Sequence, residues 1–310
     1  MAKETVAIIV LNWNGWQDTI ECLASLKSIH YEDCRVIVVD NGSTDGSVGK
    51  IKNWLDNNNF AKRPVIIETH KNLGYAAGNN AGLRYALNEG FDYYWILNND
   101  TVVDPEALKE LVMRMKEKPG AGICGSMILY YHEPEKIAAI GGGFYDKWLG
   151  QAVHPGADRL FDPHKIDQYI KQERKINYIE GASTLVSRDF LTKIGLMNEE
   201  YFLFFEEIDW ATRARGKFAL AIAPKSLVYH KCSASVKKKE KEAAKGGGFS
   251  PLFDYYNTRN RLLFSSKYYP YTLPTVYLSI LGYIIDKLRV GAWKNAGIIA
   301  GQAINHLKFF

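Results

Sequence analysis

The first hundred residues alternate between short apolar runs and amphipathic stretches. The apolar runs are continuous, as in strands that are buried on both faces, and they cover residues 6–11, 35–39, 65–67 and 93–97. The stretches between them have the spacing of helices, most clearly over residues 74–88. Strands that alternate with single helices predict an α/β fold with a mostly parallel central sheet and flanking helices.

The pattern is less regular after residue 130. Glycines at 141–143 and the polar stretch over 146–170 predict loops or an insertion. Further predicted elements are a strand over 178–186, a helix over 206–215 and two short strands over 217–230. From Pro251 onward the pattern is helical and rich in tyrosine, so we expect a C-terminal helical extension after the α/β domain.

Composition indicates a globular protein of one large domain, or of one domain with an appendage. The chain has 310 residues, of which 47% are hydrophobic and 24% charged, which excludes a disordered or fibrous chain. No stretch reaches the ~18 apolar residues of a membrane-spanning helix, and the first residues lack the layout of a secretory signal. The cysteines, at 22, 34, 124 and 232, form no CxxC pair, which favours reduced thiols and a cytoplasmic location.

The net charge of +5 hides an asymmetry along the chain. Residues 1–230 carry 26 Lys and Arg against 30 Asp and Glu, a net charge of −4, whereas residues 231–310 carry 13 against 4, a net charge of +9. A basic C-terminal region is typical of a protein that meets an anionic partner or surface. The alternative is a solvated basic helix face with no partner.

Polar clusters follow the predicted strands at 12–15, 40–46 and 98–100. Because the carboxyl ends of parallel strands meet at one edge of a sheet, we expect these clusters to converge on a ligand site. Asp40 can accept a hydrogen bond from a base imide or a ribose hydroxyl, unless it only closes an Asx turn. Asp100 can ligate Mg²⁺ or Mn²⁺, which prefer oxygen donors, unless it too only serves a turn.

Acidic residues over 206–209 follow an aromatic run at 201–205. At a helix start, acids are also favoured by the macrodipole, which is a purely structural explanation. The functional alternative is a general base beside an aromatic wall, whose apolar setting raises its pKa toward the working range. His230 can join Asp100 as a metal ligand, and Arg259 can clamp a diphosphate, with ordinary packing as the alternative for each.

These motifs, taken together and in this order, resemble those of the inverting glycosyltransferases of family 2, which have the GT-A fold. The runs that carry the resemblance are residues 8–15, 39–46, 72–80, 97–101, 205–210 and 256–260. The resemblance covers about residues 5–265. It looks closest to the rhamnosyltransferase-like branch of the family.

The resemblance implies a role for each matching position. Asp40 matches the nucleobase-binding aspartate, and Asp100 is the last residue of a metal-binding DxD motif whose first acid is here Asn98. His230 matches a histidine of the metal and diphosphate site, and Arg259 an arginine near the diphosphate. The other implied nucleotide-sugar-binding positions are Leu11, Asn12, Asn72, Gly74, Asn79, Asn98 and Asn99.

For catalysis, the resemblance implies Glu207 as the base, with Glu206 or Asp209 as the next candidates. The base takes a proton from an acceptor hydroxyl and the anomeric configuration inverts, while Mg²⁺ or Mn²⁺ balances the charge of the departing diphosphate. The implied donor is a UDP- or dTDP-sugar, with dTDP-rhamnose among the candidates. The implied acceptor is a glycan or lipid-linked sugar in cell-surface polysaccharide or glycoconjugate synthesis.

The resemblance also divides the chain into a GT-A catalytic domain over 1–245, with a nucleotide-binding half over 1–130 and an acceptor half over 131–245, and a helical region over 246–310. The charged, glycine-rich residues 237–248 are predicted to be mobile and to close over bound donor. The apolar run at 276–285 is too short to span a bilayer. It fits a helix on an anionic membrane, at the inner face of the plasma membrane. The alternative is a helix that packs on the catalytic domain or across a homodimer. Nucleic acid is not expected as a partner.

Two other classes of protein stay open. A sugar-nucleotidyltransferase also combines a nucleotide-binding α/β sheet with Mg²⁺, but it would show a glycine-rich, basic first turn where this chain has residues 12–15. A non-catalytic nucleotide-sugar-binding protein would explain asparagine at 98 and glutamate at 207. Release of nucleotide from candidate donors separates these classes from a glycosyltransferase.

Overall fold

The computed structural model describes residues 4–231 and 250–308. The segment over 237–248, predicted to close over donor, and Cys232 lie outside the described residues. The described residues form two compact units. The first unit comprises residues 4–144, 154–202 and 206–231, and the second comprises residues 145–153, 203–205 and 250–308.

The strands in chain order are β1 (Val6–Asn12), β2 (Cys34–Asp40), β3 (Val65–Glu68), β4 (Tyr93–Asn98), β5 (Thr101–Val103), β6 (Ala121–Tyr130), β7 (Glu133–Ile140), β8 (Gly142–Asp146), β9 (Gln151–Val153), β10 (Tyr178–Ile179), β11 (Ser183–Ser187) and β12 (Ala219–His230). Within the described residues the main sheet has nine strands in the order β3-β2-β1-β4-β11-β6-β12-β5, with β7 paired to β6. A smaller sheet has the order β10-β8-β9.

The main sheet is mostly parallel, as the alternating pattern predicts. Strands β1, β2, β3 and β4 pair in parallel, and β12 runs parallel to β6. Strand β11 lies antiparallel between β4 and β6, so β6 and β12 point the same way as β1. The carboxyl ends of β1, β2 and β4 therefore meet at one edge of the sheet.

Helices of the first unit cover both faces of this sheet. They are α1 (Trp16–Leu26), α2 (Ser47–Asp56), α3 (Tyr75–Glu89), α4 (Ala107–Glu117), α5 (Ile166–Lys171), α6 (Arg188–Ile194) and α7 (Glu206–Ala214). One core contains Leu23 and Leu111 from α1 and α4, and the other contains Leu83 and Trp210 from α3 and α7. Both faces of the central strands are thus buried, which explains their continuous apolar runs.

The irregular middle of the first unit differs from the prediction in three places. The predicted strand over 178–186 is two short strands, because β10 (Tyr178–Ile179) pairs in the smaller sheet and β11 (Ser183–Ser187) in the main sheet. Residues 141–143 do not form a loop, because Gly142–Asp146 is strand β8 and pairs antiparallel with β10. A Cβ on Gly142 would lie 2.3 Å from the backbone oxygen of Tyr178, so close pairing of β8 with β10 requires a glycine where the sequence suggests a loop. Residues 217–230 do not form two strands, because Ala219–His230 is one strand with an irregularity between Ala223 and Leu227, where Pro224 is accommodated.

The second unit is mainly helical, as the pattern after Pro251 predicts. Its helices are α8 (Pro251–Tyr268), α9 (Leu273–Arg289) and α10 (Trp293–Leu307). Ser250 caps α8 by accepting from the Phe253 N–H at 3.2 Å. A small core of Leu262, Val276, Ile280 and Ile299 joins the three helices. Among the described residues, no helix has both the length and the hydropathy that crossing a bilayer requires.

Candidate active site

The turns after β1 and β2 are tied together by side-chain hydrogen bonds. Asn12 Nδ2 donates to Asp40 Oδ2 at 2.7 Å and to Ser43 Oγ at 3.1 Å. Asp40 Oδ1 accepts from the Ser43 N–H at 2.9 Å, so the Asx turn is present. Asp40 is only 3% exposed, but its oxygens keep lone pairs that a ligand can use. The polar clusters after β1 and β2 therefore lie together at one edge of the sheet, as the sequence predicts.

Asn41 links the turn after β2 to the segment that leads into α3. Its Nδ2 donates to Asn72 Oδ1 at 3.1 Å and to Gly74 O at 3.0 Å, and its Oδ1 accepts from the Leu73 N–H at 3.0 Å. Asn72 Oδ1 also accepts from the Gly74 N–H at 2.9 Å. The structure thus brings Asn72 and Gly74 to the edge that holds Asp40.

Gly74 permits a close approach between the start of α3 and the loop before α7. Its φ is +86°, and a Cβ on it would lie 2.5 Å from Phe202 O. The Tyr75 N–H donates to the same carbonyl at 2.6 Å. A side chain at position 74 would therefore push away the loop that leads to Glu206.

Leu11 and Asn79 pack at the start of α3. A Cβ on Gly78 would lie 2.6 Å from Leu11 Cδ1, so a small residue is needed beneath this leucine. Asn79 is fully buried and donates from Nδ2 to Tyr75 O at 3.1 Å. Its Oδ1 is a buried acceptor without a hydrogen-bond partner in the described part of the chain, and a water or a ligand can satisfy it.

Two asparagines follow β4 and face different neighbours. Asn98 Oδ1 and Gly181 O each lie 2.9 Å from Tyr75 Oη, so the phenol can donate to either. Asn99 Nδ2 donates to Thr19 Oγ1 at 3.0 Å. These bonds join the end of β4 to α3 on one side and to α1 on the other.

Asp100 and His230, the two predicted metal ligands, lie together. Asp100 Oδ1 is 3.0 Å from His230 Nε2, and both side chains are less than 20% exposed. The pairing of β5 with β12 accounts for this contact, because it places Thr101 opposite His230. The structure thus joins two residues that are far apart in the sequence.

The donor set of this pair fits a divalent cation that takes most of its ligands from substrate. No group of three or more His, Cys, Asp or Glu side chains within residues 4–231 and 250–308 has metal-binding geometry. Mg²⁺ commonly uses one or two protein carboxylates together with substrate phosphates and waters, and Mn²⁺ also accepts imidazole. One carboxylate and one imidazole meet that requirement.

Helix α7 begins with two carboxylates in unusual surroundings. Glu206 is 4% exposed and Glu207 is half-buried. The Oε2 atoms of both are buried and have no hydrogen-bond partner among the described residues. Burial and the charge of Glu207 raise the pKa of Glu206 well above its ordinary value, and burial and the charge of Glu180 raise the pKa of Glu207 to about 7. A carboxylate with such a pKa can exchange a proton near neutral pH.

The backbone immediately before these acids is strained. Phe202, Phe204 and Phe205 have φ values of 62°, 68° and 77°, in the left-handed region that non-glycine residues avoid. Each such residue costs on the order of 1–3 kcal/mol, and such strain clusters at functional sites. The start of α7 is therefore held in place at a cost in stability.

Asp209 has a structural role in the same helix. Its side chain is fully buried, Oδ2 accepts from Arg213 Nε at 2.6 Å, and Oδ1 accepts from Tyr201 Oη at 3.3 Å. These bonds anchor α7 against the preceding segment. Glu207 and Glu206 are thus the candidate bases that keep unpartnered oxygens.

Sequence reasoning missed Glu180, His154 and Tyr178. His154 Nε2 lies 2.7 Å from Glu180 Oε2 and 3.0 Å from Tyr178 Oη. The one available signal was an acid in the apolar run at 178–186, and His154 belongs to no motif. Arg259, which was predicted to face the diphosphate, lies on α8 in the second unit, where its Nη1 donates to Asn260 Oδ1 at 2.6 Å.

The family profile described as Glycosyl transferase family 2 matches residues 7–195. The chain therefore belongs to this family of glycosyltransferases. It is 23% identical over 215 residues to the low-salt glycan biosynthesis hexosyltransferase Agl10 of Haloferax volcanii, which covers 68% of this chain and 62% of that protein. It is 25% identical over 119 residues to a poly-beta-1,6-N-acetyl-D-glucosamine synthase of Staphylococcus aureus. That match covers 38% of this chain and 27% of that protein. The chain spans less than two thirds of both relatives.

Solved structures show the same fold. The mannosyltransferase PcManGT from Pyrobaculum calidifontis, in complex with GDP-Man and Mn²⁺, matches with a TM-score of 0.57 at 15% identity, covering 99% of this chain and 88% of that one. Residues 1–349 of S. aureus TarS, in complex with UDP, match with a TM-score of 0.51 at 14% identity. That match covers 84% of this chain and 64% of the TarS chain. The predicted GT-A fold is confirmed. The rhamnosyltransferase-like branch stays a prediction.

The buried carboxylate of Glu207 should make stability depend on pH. Its pKa is about 7 in the fold and about 4.3 in an unfolded chain, so its contribution is favourable at low pH and is lost as pH rises through 7. We expect Glu207→Gln to raise the melting temperature by about 2–4 °C at pH 8 and by much less at pH 5. Differential scanning calorimetry at both pH values measures this, with Glu32→Gln, an exposed site, as control. Equal shifts at pH 5 and pH 8 would contradict the assignment.

Proposed function

We propose that this chain is an inverting glycosyltransferase that transfers a sugar from a nucleotide-diphosphate donor to a hydroxyl of a glycan or a lipid-linked acceptor. The observation that carries the proposal is the carboxylate of Glu207, with its unpartnered buried oxygen and its pKa of about 7. It belongs to the same compact unit as the Asp40 turn and the Asp100–His230 pair. Membership of glycosyl transferase family 2 supports the same reaction class.

Glu207 is suited to remove the proton from the acceptor hydroxyl. A base works best when its pKa lies near the operating pH, because it is then deprotonated yet still basic. Burial and the charge of Glu207 also raise the pKa of Glu206, so the two neighbouring carboxylates disfavour each other's ionised form. Attack from the face opposite the leaving nucleotide inverts the anomeric carbon.

The donor would lie along the carboxyl edge of the sheet. Asp40 is proposed to accept from the base or ribose, with Asn12 and Ser43 holding it in position. Asp100 and His230 would hold Mg²⁺ or Mn²⁺, which supplies positive charge to the diphosphate as it leaves. The Mn²⁺ in the PcManGT complex supports a metal of this kind. UDP- and dTDP-sugars, dTDP-rhamnose among them, are our proposed donors, and we propose a cytoplasmic location.

Donor binding should appear as thermal stabilisation that depends on metal. A specific nucleotide sugar at about 100 times its Kd stabilises the folded state by about 2.7 kcal/mol. We expect a rise in Tm with one class among UDP-, dTDP- and GDP-sugars, measured by scanning fluorimetry with and without Mn²⁺. Asp100→Asn should remove the metal-dependent part of the rise, whereas Asp56→Asn, on the exposed end of α2, should keep it. If none of the nucleotide sugars raises Tm, the proposed donor site is contradicted.

Transfer should require the carboxylate of Glu207. General-base catalysis contributes about 10²–10⁴-fold, so Glu207→Gln should lower kcat by that factor and leave donor binding unchanged. The measurement is nucleotide release and product formation with the donor found in the panel and a mixed set of acceptors. Glu32→Gln is again the matched control. Release of pyrophosphate would instead indicate a nucleotidyltransferase, and binding without any release a non-catalytic binding protein.

The second unit offers a surface that fits an anionic membrane. Leu278 and Trp293 are 68% and 71% exposed. Further exposed apolar side chains on α9 and α10 are Leu281, Ile285, Leu288, Ile304 and Leu307. An apolar groove of about 300 Å³ runs beside Leu278 and Leu281. Arg289, Lys294 and Lys308 are exposed around these helices, and this combination of apolar and basic groups is typical of interfacial helices.

Membrane association should therefore depend on these apolar side chains and on salt. We expect the protein to float with vesicles of phosphatidylcholine and phosphatidylglycerol, and to do so less at high salt or with phosphatidylcholine alone. Leu278→Glu combined with Leu281→Glu should abolish flotation. Leu160→Glu, at an exposed leucine of the first unit, serves as control. Wild-type protein that stays at the bottom of the gradient at low salt would count against a membrane role.

A further inference from the structure

Thr19 on α1 carries a hydroxyl group in a fully buried position. It lies outside the runs that carry the family resemblance. The other buried side chains of this helix are Cys22, Leu23 and Leu26, so a valine of nearly the same shape would satisfy the packing. Burying a hydroxyl costs free energy unless it is hydrogen-bonded. The hydrogen bonds of Thr19 therefore have to explain why a threonine stands here.

The hydroxyl of Thr19 contacts the ends of two strands. Thr19 Oγ1 lies 2.8 Å from Asn12 Oδ1, at the end of β1, and donates to it, with Gly15 O at 3.0 Å as the alternative acceptor. The same oxygen accepts from Asn99 Nδ2 at 3.0 Å, just after β4. A threonine hydroxyl has one donor and two acceptor lone pairs, so it can bond both asparagines at once. Thr19 thus connects two turns that are far apart in the sequence.

Gly15 keeps these two turns close enough for that connection. A Cβ at position 15 would lie 3.0 Å from Asn99 Nδ2, which is tighter than ordinary van der Waals contact. Asn99 Nδ2 also donates to Gly15 O at 3.3 Å. The residue at which α1 begins therefore packs directly against the residue that precedes Asp100.

Each of the two asparagines leads to one of the candidate ligand-binding acids. Asn12 Nδ2 donates to Asp40 Oδ2 at 2.7 Å, and all atoms of this contact are buried. Asn99 is joined to Asp100 by the peptide bond between them. A hydrogen-bonded path thus runs from the carboxylate of Asp40, through the hydroxyl of Thr19, to the residue before Asp100.

We propose that Thr19 is a positioning residue, which fixes the Asp40 turn relative to Asp100 so that one nucleoside diphosphate can reach both. The proposal rests on the proposed function, which assigns the nucleoside to Asp40 and the metal-bound diphosphate to Asp100. Thr19 itself does not touch the donor, because its side chain is fully buried. A ligand that spans two turns binds more tightly when their spacing is fixed beforehand, because less conformational freedom is lost on binding.

The ordinary alternative is a threonine that serves only its own helix. Threonine hydroxyls inside helices commonly bond the carbonyl one turn earlier, and Gly15 O is that carbonyl. Loss of such a bond would lower the stability of the fold and would leave the affinity of the folded protein for ligands unchanged. The two explanations therefore differ in ligand affinity and in the behaviour of the two turns.

The first test compares ligands that span both turns with ligands that reach one turn. The probes are UDP, dTDP and GDP with Mn²⁺, and the nucleosides uridine, thymidine and guanosine, titrated by NMR. Thr19→Val keeps the shape and removes the hydroxyl. It should weaken binding of the diphosphate that the wild-type protein selects by about tenfold, the worth of one buried hydrogen bond, and change the affinity for its nucleoside much less. Thr19→Ser, which keeps the hydroxyl, should stay near wild type.

The second test needs no ligand and follows backbone amide exchange by NMR. The Asn41 N–H donates to Asn12 O at 2.8 Å and reports on the turn after β2, and the Asn98 N–H donates to Ala182 O at 3.0 Å and reports on the end of β4. Both should exchange about tenfold faster in Thr19→Val and at wild-type rates in Thr19→Ser.

Two controls separate a local effect from a general loss of stability. The Ala219 N–H, which donates to Gly120 O at 2.8 Å at the start of β12, is an internal reference and should keep its exchange rate. Thr272 in the second unit is also fully buried and donates from Oγ1 to Tyr269 O at 2.8 Å. Thr272→Val therefore removes a comparable hydrogen bond, and it should change neither the affinities nor the exchange at the two turns.

The positioning role is overturned by equal losses of affinity for diphosphate and nucleoside, or by equal behaviour of Thr19→Val and Thr19→Ser. Faster exchange at only one of the two turns overturns it as well. If Thr19→Val does not fold, the smaller Thr19→Ala takes its place in both tests. A wild-type protein that binds none of the nucleotides counts against the proposed function, and the exchange measurement then still decides whether Thr19 joins the two turns.

Discussion

The in-register pairing of β1 with β2 and β4 is the constraint on which the site depends. Val6 pairs with both Cys34 and Tyr93, so the three strands run in line. A slip of one residue would turn each side chain to the opposite face of the sheet and would separate Asn12 from Asp40. The two cores resist such a slip because both faces of these strands are buried. Polar side chains at the strand ends take their positions from this register.

Structural features that cost stability lie at the start of α7, whereas burial and hydrogen bonds stabilise the rest of that helix. Its first carboxylates have unpartnered oxygens within the described residues, and left-handed backbone precedes them. Further along, Trp210 is fully buried and its Nε1 donates to Gly195 O at 2.8 Å, and Arg213 Nη1 donates to Ile194 O at 2.6 Å. This rigid support fixes the position of the buried carboxylates at the start of α7, although their burial lowers the stability of the fold.

The sequence predicts the features that local pattern determines. Continuous apolar runs predict the buried strands. Acids that follow these runs, such as Asp40 and Asp100, can be proposed as candidate site residues from their position alone. Glu180 and His154 could not, because their contact depends on how β8 pairs with β10, and that pairing uses glycines that look like a loop. The aromatic run before residues 206–209 predicts a raised pKa for a base there, but the contribution of Glu180 to the pKa of Glu207 depends on the folded chain.

Electrostatics limit what the candidate active site can bind. It carries the carboxylates of Asp40, Asp100, Glu180 and Glu207, and a nucleotide diphosphate is also an anion. Like charges 4 Å apart repel by about 4 kcal/mol at the effective dielectric near a protein surface, so a diphosphate needs compensating positive charge. The Asp100–His230 pair offers ligands for a cation that brings it. Burial and the charge of Glu207 raise the pKa of Glu206, which disfavours a further negative charge beside the site. The burial that prepares Glu207 as a base thereby also reduces the repulsion that a donor meets.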